Sequence, residues 1–133
     1  MPAAIADDLA GIPLFDTLEP DERAAIAPWF ELEDVSPGVN LTGEGASGYS
    51  FFVLRDGTAT VTISGIEVRT LGPGDFFGEL ALLGDGRRTA TVTTATPSQV
   101  LVLFGTEFRQ LQQQHPEIAA QVESALREIA QAA

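Results

Sequence analysis

With 133 residues, of which 44% are hydrophobic and 20% charged, the chain has enough apolar content for one folded core and is too apolar to stay disordered. Cysteine is absent and there is one histidine, His115, which excludes disulfide frameworks, thiolate or multi-histidine metal sites and cysteine nucleophiles. A formal net charge of −12 repels nucleic-acid phosphates and anionic lipid, and no apolar run is long enough to cross a bilayer, so neither nucleic acid nor membrane is an expected partner.

The first residues lack the basic flank and apolar stretch of a secretory signal, and a cytoplasmic protein is expected. The first helix in the pattern begins with Pro20 in its opening turn, followed by Asp21 and Glu22 near the positive end of the helix dipole. Ile26, Trp29 and Phe30 are its candidate core contacts, and Pro28 ends or kinks it. Short β-rich runs follow at 40–42, 50–54, 58–63, 67–71, 89–93 and 100–104, separated by glycine and proline. Asp56-Gly57 and Ser64-Gly65 read as tight hairpin turns, with Gly72-Pro73-Gly74-Asp75 and Thr96-Pro97 as further breaks. Many short, evenly spaced strands predict a sandwich, barrel or jelly roll. After 104 the pattern returns to helix: Thr106 is the expected N-cap, His115-Pro116 a break, and Ile118, Val122, Leu126 and Ile129 recur at helical spacing, with Glu123 four residues before Arg127. The expectation is a single domain over 1–133, with a helical segment about 7–30, a β-roll about 31–104 and C-terminal helices about 106–131.

Several motifs have plain structural readings. Gly43-Glu44-Gly45-Ala46-Ser47-Gly48 matches a dinucleotide fingerprint, but a strand follows it where that motif needs a helix, so it reads as a turn. Asn40-Leu41-Thr42 is a glycosylation sequon without a secretory context. The imidazole of His115, between two helices, reads as a helix cap. The acidic pairs Asp7-Asp8, Asp21-Glu22 and Glu31-Glu33 read as solvated charge.

Residues 75–92 carry more. A short apolar helical piece at 79–83 sits inside the β-rich region, after Gly78 and before Gly84-Asp85-Gly86-Arg87-Arg88. A helix start preceded by glycine offers unpaired N–H groups and a positive dipole end, which together suit an anion. All seven basic residues are arginine. A guanidinium arriving from the following loop adds a bidentate contact to phosphate, Thr89 a hydroxyl, and Glu79 an acceptor for sugar hydroxyls. One acid beside one arginine suits a ligand with both a ribose and a phosphate.

Phe77-Gly78-Glu79-Leu80-Ala81-Leu82-Leu83, followed by Arg88-Thr89-Ala90-Thr91-Val92, resembles the phosphate-binding cassette of the cyclic nucleotide-binding domain family. Ile12-Pro13-Leu14-Phe15 with Leu18, Pro37-Gly38, Gly45 and Asp56-Gly57 are similar to that family's N-terminal helical segment and strand turns. The resemblance implies a mainly β fold, a β-jelly roll with flanking helices. It implies that Glu79 holds the ribose 2′-hydroxyl and Arg88 the exocyclic phosphate oxygens. The backbone N–H groups of Gly78, Leu80 and Ala90 and the hydroxyl of Thr89 assist, while Arg87 is the solvated neighbour. The implied ligand is cyclic AMP in preference to cyclic GMP, the bacterial look of the chain favouring the former. No catalytic residue, metal or cofactor is implied.

The implied mechanism packs the helix at 117–131 near the cassette and closes it over the purine, with Ile118, Val122, Leu126 and Ile129 as the apolar residues for that closure. The family's transcription factors continue into a helix-turn-helix and its kinases and channels into effectors, and none follows here. The expectation is therefore a stand-alone receptor module acting through a protein partner or a homo-oligomer. The competing readings are a protein-interaction or scaffold domain of the same fold that does not bind nucleotide, and a cupin-type enzyme, which one histidine cannot supply with ligands.

Overall fold

The computed structural model describes residues 3–42, 50–78 and 90–132, with side chains through 129. It opens with helix α1 (Ala6–Leu9), a 3-10 turn at Pro13–Phe15, helix α2 (Pro20–Ile26) and a second 3-10 turn at Ala27–Trp29. Pro20 occupies the first turn of α2, and Glu22 reaches back to accept the N–H of Glu19 at 2.9 Å, satisfying a donor that the helix leaves open. Pro28 falls where α2 gives way to the 3-10 turn, as the sequence predicts.

Eight strands follow: β1 (Glu31–Val35), β2 (Asn40–Thr42), β3 (Ser50–Asp56), β4 (Ala59–Ile63), β5 (Ile66–Leu71), β6 (Phe76–Phe77), β7 (Thr91–Thr94) and β8 (Ser98–Phe104). Two antiparallel sheets form, ordered β1-β8-β3-β6 and β2-β7-β4-β5. Pairing β4 with β5, β3 with β6, β2 with β7 and β1 with β8 makes a long antiparallel ribbon bent at the Ser64-Gly65 turn. Rolling that ribbon brings β3 onto β8 and β4 onto β7, which is the jelly roll expected. At the bend Ser64 and Gly65 take φ of 53° and 78°, as a two-residue hairpin turn requires.

The other expected hairpin is different. Asp56-Gly57 joins β3 of one sheet to β4 of the other, so this turn changes sheets and its flanking strands do not pair. Gly57 has φ +91°, and a Cβ on it would stand 2.7 Å from the Pro97 carbonyl oxygen. Two strands escaped the sequence pattern: β1, which contains the pair read as solvated charge, and the two-residue β6.

The first sheet is buried on both faces. Phe51, Val53, Leu101 and Leu103 face a cluster shared with the helices, while Phe52, Leu54, Val100 and Val102 line the inside of the roll. The continuous apolar runs of β3 and β8 follow from this double burial. On the helical side, α1 is tied to the sheet by Asp8, 3.3 Å from Arg55, which also donates to Gln99.

Helix α3 (Gly105–Gln114) starts with Phe104 as N-cap, and no side chain caps it, so Thr106 does not play the expected part. Its chain turns at His115, whose N–H donates to Leu111 O at 2.7 Å and whose carbonyl accepts from Ala119 at 3.0 Å; these backbone bonds make the junction. Helix α4 (Pro116–Ala132) lays Ala119, Val122, Ala125 and Leu126 into the helical cluster, with Ile118 and Ile129 half-buried against it. Gln121 also donates to Glu22 of α2 at 3.0 Å. The stripe expected to close over a ligand is, in this arrangement, packed on the N-terminal helical elements.

Candidate functional site

The two ends of the segment singled out in the sequence are held by different sheets. At the first end, the turn before β6 is stapled onto β3: Gly74 N–H donates to Leu54 O at 2.7 Å, and Leu54 N–H donates to Asp75 O at 2.8 Å. The Asp75 carboxylate accepts the Gly72 N–H at 2.8 Å. Strand β6 then pairs Phe76 with Val53 and Phe77 with Phe52. The Phe77 ring stacks on Phe52 inside the roll, centroids 5.0 Å apart and planes 12° apart. Phe76 turns the other way and meets Phe51 at 5.8 Å. Gly78 comes next, at φ +78°, a conformation that favours glycine and redirects the chain out of the strand.

At the second end, Ala90 packs against the roll interior and leads into β7. That strand lies between β2 and β4, with Thr91 opposite Thr62 and Val92 opposite both Thr42 and Val61. The Thr42 hydroxyl, on a residue only 7% exposed, donates to the Ala90 carbonyl at 3.2 Å. Gly78 and Ala90 therefore stand as two fixed posts. The other named candidates, Glu79, Leu80, Arg87, Arg88 and Thr89, lie outside the described residues, as do the 79–83 helical piece and the glycines at 43–48.

Three arginines elsewhere are engaged with the protein itself. Arg23 donates to Leu18 O at 2.7 Å, Arg55 meets Asp8 and Gln99, and Arg127 meets Glu123 at 3.1 Å. A groove of about 510 Å³ between the Asp34–Pro37 side and the Asp56 and Pro97 turns carries two carboxylates, Asp34 and Asp56, the wrong sign for an anionic ligand. Among the described residues, no three His, Asp or Glu side chains gather as ligands for a metal ion. Sequence reading missed the hold of Thr42 on Ala90, which spans 48 positions. The paired phenylalanines at 51–52 and 76–77 were the one signal in the sequence that β6 would seat on β3.

Comparison with known proteins bears on this arrangement directly: the family described as cyclic nucleotide-binding domain matches residues 32–115, more than half of the chain and most of the roll. The chain belongs to the cyclic nucleotide-binding domain family. Among curated relatives, the cAMP-dependent protein kinase regulatory subunit of Colletotrichum orbiculare is 40% identical over 107 residues, covering 79% of this chain and 27% of that protein. The chain thus spans about a quarter of the length of such relatives. Among solved structures, the regulatory domain of Toxoplasma gondii PKA with cAMP matches at TM-score 0.80 and 25% identity, over 96% of this chain and 49% of that one. The N-terminal domain of a transcriptional regulator from Streptomyces coelicolor A3(2) matches at TM-score 0.80 and 25% identity, over 94% and 93%.

Proposed function

We propose that this cyclic nucleotide-binding domain is a receptor for cyclic AMP in preference to cyclic GMP. It performs no chemistry and passes its state to a protein partner or to a second copy of itself in the cytoplasm. The observation that carries the reading is the match of the family across the roll, together with a sequence between Gly78 and Ala90 that keeps both Glu79 and Arg88. A carboxylate and a guanidinium nine residues apart, between two fixed posts, give one acceptor for a ribose and one fork for a phosphate. Glu79 accepts from the ribose 2′-hydroxyl. Arg88 binds the exocyclic phosphate oxygens, and the N–H groups of Gly78, Leu80 and Ala90 and the Thr89 hydroxyl complete the cradle.

The preference for cyclic AMP rests on relatives named for it, the fungal kinase regulatory subunits and the Toxoplasma domain with cAMP. The net charge of −12 does not oppose this ligand at close range. Charges beyond roughly 8 Å are screened at physiological salt, whereas contacts at hydrogen-bond distance are not. The test is a thermal-shift and calorimetric comparison of cyclic AMP, cyclic GMP and AMP. A ligand at 100 times its dissociation constant adds about 2.7 kcal/mol to stability. Stabilisation by cyclic AMP, weaker with cyclic GMP and absent with AMP, supports the reading; no change with any of the three makes the domain a scaffold.

A further inference from the structure

We propose that the outer edge of β5 is the surface on which a second copy of this chain pairs. The surface is independent of nucleotide binding, and it gives a place to the second copy named in the reading above. The two sheets end in the strands β1, β6, β2 and β5. An uncovered edge presents backbone donors and acceptors to any neighbouring chain, and shortness or charge blunts it. Strand β6 has two residues and β2 three, while β1 carries Glu31, Glu33 and Asp34 among its five. Strand β5 has six residues, all exposed except Leu71. Of the six large hydrophobic side chains exposed among the described residues, Ile63, Ile66 and Val68 lie on the β4–β5 hairpin, and Ile66, at 67%, is the most exposed.

The order of side chains along this edge fits it to itself. In an antiparallel pair arranged about a two-fold axis at Val68, Glu67 of each copy lies opposite Arg69 of the other, and Val68 opposite Val68. Directly opposed residues of antiparallel strands interact, favourably when their charges differ, so two Glu–Arg pairs flank the axis. Among the described residues, neither Glu67 nor Arg69 has an ion pair or side-chain hydrogen bond within the chain. The strand holds one acid and one base, so it carries no net charge, and the chain's −12 acts from a distance at which salt screens it. On the inner side, Arg69 stands opposite Val61 and Glu67 opposite Thr62, which leaves Val68 as a bulge without an opposite residue on β4. A bulge raises the local twist and confines pairing to the residues around the axis. Six residues span roughly 20 Å, a small contact, so the dimer is weak. The two-fold uses the β5 edge of both copies, so association stops at two.

The test is sedimentation equilibrium, without nucleotide, on the wild-type chain, Glu67→Arg, Arg69→Glu, the variant carrying both exchanges, and an equimolar mixture of the two single variants. The wild type dimerises with a dissociation constant below about 1 mM. Each single variant sets two like-charged pairs across the axis and weakens the dimer about tenfold. The double exchange restores wild-type association. The mixture of single variants associates as a heterodimer, which also shows that both have folded. A wild-type chain monomeric up to about 1 mM, single variants that dimerise like wild type, or a double variant and a mixture that stay monomeric each overturns the β5 surface. Calorimetry with cyclic AMP on the same samples reads the receptor function separately. Dimerisation without nucleotide binding removes the receptor reading alone, and nucleotide binding by a chain that stays monomeric removes the β5 surface alone.

Discussion

Among the described glycines, Gly57 is the position where replacing one hydrogen by a methyl group is expected to cost most. It makes the turn by which the chain leaves β3 and enters the other sheet, at φ +91°. An L-residue held in left-handed backbone costs roughly 1–2 kcal/mol. The added Cβ would also stand 2.7 Å from Pro97 O and 2.8 Å from Ser98 Cα. Both are backbone atoms of the neighbouring turn and the start of β8, and neither can swing aside as a side chain would. Forcing them apart adds about 1–3 kcal/mol, the usual range for overpacking. Gly57→Ala is therefore expected to lose about 2–5 kcal/mol, a large part of the 5–15 kcal/mol typical of a domain. Gly65→Ala is the control: its φ is +78°, with nothing within 4 Å of the added methyl, so it carries the conformational cost alone. Urea unfolding of both variants, fitted with a common slope, separates the two contributions. Equal losses in the two variants would refute the steric part of the argument, and a Gly57→Ala protein as stable as wild type would refute all of it.

Arg88→Ala is expected to weaken cyclic AMP binding by about 2–5 kcal/mol, the cost of leaving a desolvated charge unpartnered, while Arg87→Ala binds nearly as wild type; calorimetry showing the reverse order exchanges their roles. Glu79→Ala is expected to lose about 1.5–3 kcal/mol and to stop distinguishing cyclic AMP from its 2′-deoxy analogue, and undiminished discrimination removes Glu79 from the ribose. Leu126→Ala, at a fully buried position of α4, is expected to cost about 2–5 kcal/mol of stability, measured by chemical unfolding, and a loss below 1 kcal/mol would mean that α4 is not committed to the core.

The strands legible in the sequence were those whose residues alternate or run apolar between glycine turns. β4 and β8 are of this kind, because burial of a sheet face imposes a pattern on side chains. β1 was hidden because its sequence, Glu31-Leu32-Glu33-Asp34-Val35, reads as charge. Its strand state comes from backbone pairing with β8, residue against residue from Glu31 opposite Val102 to Val35 opposite Ser98, and backbone bonds leave little trace in composition. Asp56-Gly57 was legible as a turn but not as a change of sheet, since a dipeptide encodes its own φ and ψ and not the destination of the next strand. Thr106 failed as a cap because the helix begins at Gly105 with Phe104 as N-cap, two residues before the start that a Thr106 cap requires. At the site, residue types and spacing named the charged candidates. The posts that flank them depend on pairings between distant strands: Phe52 on Phe77 left only the repeated Phe-Phe pair as a trace in the sequence, and Thr42 on Ala90 left none.

The two phenylalanines of β6 give the first sheet a property that neither core has alone. Adjacent residues of a strand point to opposite faces, so Phe76 bears on the helical cluster and Phe77 on the roll interior, immediately before Gly78. Close-packed interiors transmit displacement instead of absorbing it. A strand of two residues has no slack to take up a tilt. β6 thus joins the two compartments within two residues: its pairing with β3 holds Phe77 on Phe52 in the one and Phe76 beside Phe51 in the other.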